Sequence, residues 1–164
     1  TGGSGSNTLS GGGGNDVLRM IAGADSFDGG AGNDTLDMST GGGGVLLDLG
    51  AGTAAIQGGS VSVFTAVERF LAGSSQDTVR GGAGAFTLDG GGGADTLDYG
   101  FFSGGVTVSL AAGTASGSGL THVVTGFETL SGSAFSDTLG GSGGDEMLLA
   151  AAGDDTVFAS GGQD

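Results

Sequence analysis

Acidic residues recur in this chain at a fixed spacing that could hold a hard metal ion. They occupy the sixth position of nine-residue units, after a glycine-rich stretch and two residues before an apolar residue. Glycine accepts positive φ and lets backbone carbonyls approach a common point, because it has no side chain. Carboxylate and carbonyl oxygens are the ligands of Ca²⁺, which takes about six to eight of them. The sixth positions carry Asn7, Asp16, Asp25, Asp34, Asp77, Phe86, Asp95, Asp137, Glu146, Asp155 and Asp164.

Other ions suit this set of oxygens less well. Mg²⁺ demands a tighter octahedron and retains its water, so flexible turns rich in carbonyls are a poorer site for it. Zinc and copper favour thiolate and imidazole ligands, whereas the chain has no cysteine and one histidine, His122. A single aspartate in a glycine-rich turn usually bonds its own backbone, but that reading does not explain a shared register. The sequence therefore predicts Ca²⁺ as the bound ion.

The aspartates in the ninth position of the units have a different expected role. They follow the apolar residue directly, so they belong to the short strand and not to the turn. We expect them to lie on a solvated face: Asp28, Asp37, Asp89 and Asp98.

The units form three runs separated by two spacers. The cleanest unit, residues 29–37, reads GGAGNDTLD and follows the pattern G-G-x-G-x-D-x-U-x, in which U is a large apolar residue. A fixed period of this kind predicts a repeat architecture. The runs cover residues 1–37, 72–98 and 132–164, and the last ends in a partial unit, which indicates a longer array.

The spacers, residues 38–71 and 99–131, resemble each other. GGVLLDLGAGTA in the first matches GGVTVSLAAGTA in the second. Near its end each spacer returns to the nine-residue register, with Glu68 or Glu128 in the sixth position. The alternation of Val106, Val108 and Leu110 with polar residues is typical of a strand with one buried face. We expect the spacers to be wider rungs of one continuous solenoid; a disordered loop is the alternative.

The eighth positions predict the core of the repeats. Positions seven to nine form a short strand, so the middle side chain points to one face. We expect no helix. The ten complete units place only apolar residues there: Leu9, Leu18, Phe27, Leu36, Val79, Leu88, Leu97, Leu139, Leu148 and Val157.

The nonapeptide resembles that of the RTX (repeats-in-toxin) family. The resemblance implies an all-β fold, a right-handed parallel β-roll or β-helix solenoid, with two units in each turn and calcium bound in the glycine-rich turns. It also implies that each ion lies between unit n and unit n+2. The best pairs are then Asp16 with Asp34, Asp77 with Asp95, and Asp137 with Asp155. The expected carbonyl ligands are those of Gly12, Gly14, Gly30, Gly32, Gly91 and Gly93.

Some units depart from the family pattern. Asn7 with Asp25, and Glu146 with Asp164, are weaker pairs. The unit that contains Asp25 begins with Met20 and Ile21 in place of two glycines. Phe86 supplies no oxygen, so the site on its side should be absent or poor.

Composition and motifs exclude several other functions. The net charge is −15 with no lysine and three arginines, which argues against nucleic acid and against anionic membrane surfaces. No apolar run approaches the roughly 18 residues of a membrane span. A single histidine rules out H-E-x-x-H, and the G-x-S-x-G match around Ser142 has no histidine after it. We expect no enzyme.

The resemblance implies a protein secreted through a type I system, which folds outside the bacterial cell where calcium is plentiful. Two functions remain: a structural or adhesive component, or a calcium-dependent folding and secretion module of an enzyme or toxin. We expect the chain to unfold when calcium is chelated. Unpaired strand edges also suggest end-to-end self-association, which a strictly monomeric sedimentation profile in millimolar calcium would count against.

Overall fold

The structure is a computed structural model that describes residues 1–117 and 119–163. In these residues the chain forms short strands and no helix, and nothing in them is a helix long and apolar enough to cross a membrane. The strands are β1 (Thr8–Gly13), β2 (Val17–Arg19), β3 (Ser26–Ala31), β4 (Thr35–Asp37), β5 (Val45–Asp48), β6 (Thr53–Ile56), β7 (Val61–Thr65), β8 (Arg69–Leu71), β9 (Thr78–Arg80), β10 (Gly84–Asp89), β11 (Thr96–Asp98), β12 (Val106–Ser109), β13 (Thr114–Gly117), β14 (Leu120–Thr125), β15 (Thr129–Ser131), β16 (Thr138–Gly140), β17 (Met147–Leu149) and β18 (Thr156–Phe158).

These strands build two nine-stranded sheets. The first sheet has the order β1-β3-β7-β6-β5-β9-β11-β15-β17, and the second has β18-β16-β12-β13-β14-β10-β8-β4-β2. Within a run, successive units alternate between the sheets, so β1 pairs in parallel with β3, and β2 with β4. The sequence prediction of an all-β solenoid with two units per turn is confirmed.

The register places one eighth-position residue beside another along each sheet. Leu9 lies opposite Phe27 in the first sheet, and Leu18 opposite Leu36 in the second. Residues of both sheets join in a single hydrophobic core. The terminal rungs are less well covered, since their strands have only one neighbour, and Val157 is 45% exposed.

Each spacer forms an antiparallel meander of three strands, a pairing direction that the sequence did not predict. In the first spacer β5, β6 and β7 lie side by side, with Val45 opposite Ile56 and Thr53 opposite Val63. The chain reverses at Gly52, whose φ of 65° is in the left-handed region. The outer strands of the meander pair in parallel with β3 and β9, so the roll continues across it.

The second spacer repeats this arrangement on the opposite sheet. Its strands β12, β13 and β14 reverse at Gly113, with φ of 67°, and the outer strands pair in parallel with β16 and β10. Each sheet therefore contains one three-stranded meander, and both sheets have nine strands.

Phe86 belongs to a row of aromatic rings in the interior. Its ring lies 5.8 Å from that of Phe70 and 5.5 Å from that of His122, measured between centroids. Phe86 sits inside β10, which runs as an extended strand from Gly84 and pairs with β14. A strand therefore replaces the turn that carries a carboxylate in the other units. Phe86 contributes to the interior and supplies no ligand for an ion.

The buried pair Tyr99 and His122 is the polar centre of this row. The carbonyl of Gly82 only accepts, so His122 Nε2 donates to it at 3.1 Å, and the hydroxyl of Tyr99 then donates to Nδ1 at 2.8 Å. Burial lowers the pKa of His122 to about 4, which the bond to Gly82 opposes in part. Burial also raises the pKa of Tyr99. Both side chains are therefore neutral at pH 7.

We expect the imidazole of His122 to titrate near pH 4 in the calcium-loaded protein, as measured by NMR of this single histidine. Its pKa is depressed below the unfolded value of 6.5, so the unfolded state takes up the proton first. The associated stability is complete above about pH 6.5 and falls by roughly 3 kcal/mol as pH drops to about 4. His122→Phe should remove this pH dependence. A titration near pH 6.5 in the folded protein would contradict the buried geometry.

Candidate calcium sites

The sixth-position carboxylates are joined in rows along the solenoid. The backbone N–H of one sixth position donates to the carboxylate of the sixth position two units further on. The bond from Asp16 to Asp34 Oδ1 is 2.7 Å, and the bond from Asp77 to Asp95 Oδ1 is 2.8 Å. The expected n and n+2 neighbours therefore lie in contact.

The remaining expected pairs follow the same rule where they are described. The N–H of Asp137 donates to Asp155 Oδ1 at 2.9 Å, and the N–H of Asn7 donates to Asp25 Oδ1 at 2.9 Å. Asp164, the expected partner of Glu146, lies outside the described residues.

Two glutamates from the spacers extend these rows. Glu68 Oε2 accepts the N–H of Asp34 at 2.9 Å, and Glu128 Oε2 accepts the N–H of Asp95 at 2.8 Å. Neither was among the expected ligands. The signal was present, because both stand in the sixth position once the ends of the spacers are read in the nine-residue register.

Four aspartates in these rows bury an oxygen that has no hydrogen-bond partner among the described residues. In each aspartate the unpaired oxygen is Oδ2. The other oxygen, Oδ1, accepts a backbone N–H from the neighbouring turn in Asp25, Asp34 and Asp95. Buried negative oxygen is costly unless a positive charge or a donor compensates it. We call these four the open carboxylates: Asp16, Asp25, Asp34 and Asp95.

Backbone carbonyls lie next to the orphaned oxygens. A side-chain carbon added at Gly29 would lie 2.7 Å from Asp34 Oδ2 and would collide with the carbonyl oxygen of Ala66. At Gly90 an added carbon would lie 2.9 Å from Asp95 Oδ2 and would also collide with a carbonyl, that of Gly126. The first-position glycine thus lets a carboxylate and a carbonyl approach the same point of the backbone more closely than any side chain would allow.

The expected carbonyl ligands lie in turns stacked on one another. A carbon added at Gly30 would collide with the carbonyl of Gly12, and one added at Gly32 with that of Gly14. In the second run, a carbon added at Gly91 would collide with the carbonyl of Gly73, and one added at Gly93 with that of Ser75. All six expected glycines have positive φ: Gly12, Gly14, Gly30, Gly32, Gly91 and Gly93.

The electrostatics around Asp95 favour a cation. Burial raises the pKa of Asp95 to about 6, and the charges of Asp77, Glu128 and Asp89 act in the same direction. Within the described part of the chain no three carboxylate or imidazole side chains come together. Each candidate site therefore offers one or two carboxylates together with backbone carbonyls. This hard-oxygen donor set fits Ca²⁺.

Three other acidic residues are satisfied by their own turns. Asp77 Oδ2 accepts the N–H of Gly73 at 2.8 Å, and Asp137 Oδ2 accepts the N–H of Ser133 at 2.6 Å. Glu146 Oε1 accepts the hydroxyl of Ser142, and Oε2 accepts its N–H at 2.8 Å. These two hydrogen bonds, the first more than the second, lower the pKa of Glu146. The rows therefore contain two kinds of carboxylate.

Asp28, Asp37, Asp89 and Asp98 stand apart from the rows. Asp89 and Asp98 each accept the N–H of the residue two positions later, Gly91 or Gly100. Asp37 likewise accepts the N–H of Ser39, and it also accepts a hydrogen bond from Arg19 Nε at 3.1 Å. Hydrogen bonds from these two residues lower the pKa of Asp37 despite its burial. These contacts are structural, and Asp37 is buried where we expected a solvated residue.

Comparison with known proteins agrees with this geometry. A family model described as RTX calcium-binding nonapeptide repeat (4 copies) matches residues 1–36, 22–45, 69–104, 123–157 and 140–164. No curated protein matches the chain. The repeats of this family bind Ca²⁺ and are not catalytic. The matched segments cover most of the sequence and include every open carboxylate, so the chain belongs to the RTX calcium-binding nonapeptide repeat family.

Proposed function

We propose that this chain is a calcium-folded extracellular segment with a structural or adhesive role, in a stalk, surface layer, matrix or fibre. The observation that carries the proposal is the placing of the open carboxylates in rows along the solenoid. Each uncompensated oxygen lies where one turn meets the next. An ion held there by Asp34 or Asp95, with Glu68 or Glu128 beside it, would tie neighbouring turns together.

The rows explain why calcium would rigidify the whole segment. The bonds that link Asp16 to Asp34, and Asp34 to Glu68, connect the first run to the end of the first spacer. The bond from Asp95 to Glu128 does the same for the second run and the second spacer. Compensating the negative oxygens therefore strengthens contacts along the solenoid axis, which is the direction in which a stalk carries load.

An extracellular location follows from the expected affinity. Calcium sites in extracellular modules have dissociation constants of about 10⁻⁴–10⁻³ M, so they are empty in a cytosol and filled outside. RTX repeats are typical of secreted bacterial proteins, which supports a place on the bacterial surface or in the medium. Self-association through the edge strands β1, β2, β17 and β18 stays a prediction.

The alternative is a calcium-dependent folding and secretion module attached to an enzyme or toxin. It shares the calcium sites and the folding transition but has no need to resist force. The response to load therefore separates the two functions.

Single-molecule pulling between the two ends of the chain tests the structural role. In millimolar calcium we expect a clear unfolding force, because the ions join successive turns. With a chelator, or with magnesium alone, the chain should extend without such a force. An unfolding force at the noise level in saturating calcium would favour the secretion module, and identical traces with and without calcium would contradict both readings.

A further inference from the structure

The acidic turns differ in what satisfies the second carboxylate oxygen. In the turns of Asp16, Asp25, Asp34 and Asp95 this oxygen is buried and has no donor among the described residues. In those of Asp77 and Asp137 it accepts a backbone N–H from its own turn. An aspartate stands in the sixth position of all six turns, so another position must cause the difference.

The backbone N–H of the second position of the unit separates the two states. In the four turns with an orphaned oxygen this N–H makes no bond to the carboxylate. The second residue is a glycine with φ between 89° and 98° in three of them, Gly12, Gly30 and Gly91, and Ile21 in the turn of Asp25. In the turns of Asp77 and Asp137 it is Gly73 or Ser133, and neither has positive φ. The N–H of these two residues points to the carboxylate and bonds to it.

The first oxygen of Asp77 and of Asp137 is also occupied. Asp77 Oδ1 accepts the N–H of Val45 at 2.6 Å, and Asp137 Oδ1 accepts the N–H of Val106 at 2.8 Å. Val45 and Val106 begin β5 and β12, the first strands of the two meanders. Each carboxylate therefore fastens a spacer to the run that follows it. We call Asp77 and Asp137 the clasp carboxylates.

Because backbone donors compensate both oxygens, a clasp carboxylate needs no cation. Ser133 adds a further donor, since its Oγ bonds Asp137 Oδ1 at 2.8 Å. The open carboxylates lack this compensation, although Asp34 and Asp95 are completely buried. Binding of a cation therefore stabilises an open carboxylate much more than it stabilises a clasp carboxylate.

From these contacts we infer that the backbone N–H of the second position selects between a calcium ligand and a backbone clasp, according to whether it donates to the carboxylate. Asp16, Asp25, Asp34 and Asp95 then bind calcium, whereas Asp77 and Asp137 hold the spacers and do not. The inference rests on the proposed calcium-dependent folding and assigns different tasks to residues that share one motif position. It also predicts fewer bound ions than acidic turns.

Matched aspartate-to-asparagine variants test this assignment. Each removes one negative charge: Asp34→Asn from an open carboxylate, Asp137→Asn from a clasp, and Asp28→Asn from the outer face as the control. Equilibrium dialysis gives the number of calcium ions per chain. The slope of stability against the logarithm of calcium concentration gives the ions released on unfolding.

We expect Asp34→Asn to lose one bound ion and to show a smaller slope. Asp137→Asn should keep the ion count and the slope but should be less stable than the wild type at every calcium concentration. Asp28→Asn should match the wild type in all three measurements. Loss of an ion in Asp137→Asn, or no loss in Asp34→Asn, would overturn the assignment.

A gain of binding provides a second test. Ser133→Pro removes both the backbone and the hydroxyl donor to Asp137, so we expect one additional ion per chain. Ser133→Ala keeps the backbone donor and should add none. An unchanged ion count in Ser133→Pro would argue against selection by the N–H of the second position. A wild-type chain that binds no calcium would instead contradict the proposed function.

Discussion

Removal of calcium by a chelator is expected to unfold the chain and abolish its strand signal. The four open carboxylates bury negative oxygens that have no donor among the described residues, and a cation would compensate them. The net charge of −15 adds repulsion along the rows. Metal binding then supplies folding free energy, as in other small domains that fold around an ion.

Circular dichroism during calcium titration of the chelated protein measures this effect. A cooperative gain of strand signal with calcium, and none with magnesium at the same concentration, is the expected result. The midpoint should lie in the range of extracellular sites, about 10⁻⁴–10⁻³ M. Strand signal that survives exhaustive chelation would show that the core alone is sufficient to hold the fold.

Substitution of Gly90 by alanine is expected to abolish one calcium site and destabilise the protein. The new methyl group would collide with the carbonyl of Gly126 and lie 2.9 Å from Asp95 Oδ2. It would therefore displace the carbonyl and the carboxylate, both of which we expect to be calcium ligands. Overpacking of this kind costs about 1–3 kcal/mol, before the loss of the ion is counted.

Gly92→Ala is the matched control in the same turn. An added carbon there has no atom within 4 Å, and the backbone of Gly92 does not have positive φ. This variant should bind calcium as the wild type does and should change stability by no more than about 1 kcal/mol. Calcium dialysis and thermal unfolding of the two variants decide the question. Equal behaviour of Gly90→Ala and Gly92→Ala would mean that the space beside Asp95 holds no ion.

Much of the fold could be predicted from the nine-residue period. One unit contains a turn, a carboxylate and a strand with one buried side chain, and all three are local features. Because the period repeats without a slip inside a run, each unit lies beside the unit two positions further on. The pairing of Leu9 with Phe27, and the bond from Asp16 to Asp34, follow from that regularity.

The path of the spacers could not be read from the local pattern. Alternating residues such as Val106 and Val108 predict strands but do not identify their partners. In the structure β5 lies next to β9 and not next to β3, because the chain advances and then returns through β6 and β7. Such pairing depends on contacts between residues far apart in sequence, and either direction of pairing would bury the same apolar face.

The different states of the acidic turns also required the tertiary structure. Asp77 and Asp95 occupy the same position of the motif, yet Val45 and Gly73 satisfy the first, whereas Asp95 Oδ2 stays without a donor. Val45 reaches Asp77 only because the meander folds back on the second run.

The sequence by itself determined the repeat, the strands, the core positions and the type of ion, because these depend on residues within one or two units. The tertiary structure decided which sheet each meander joins, because that depends on pairing between residues far apart in sequence. It also decided which carboxylates remain open, because Gly73 and Gly91 are the same residue in the same position and differ only in backbone conformation.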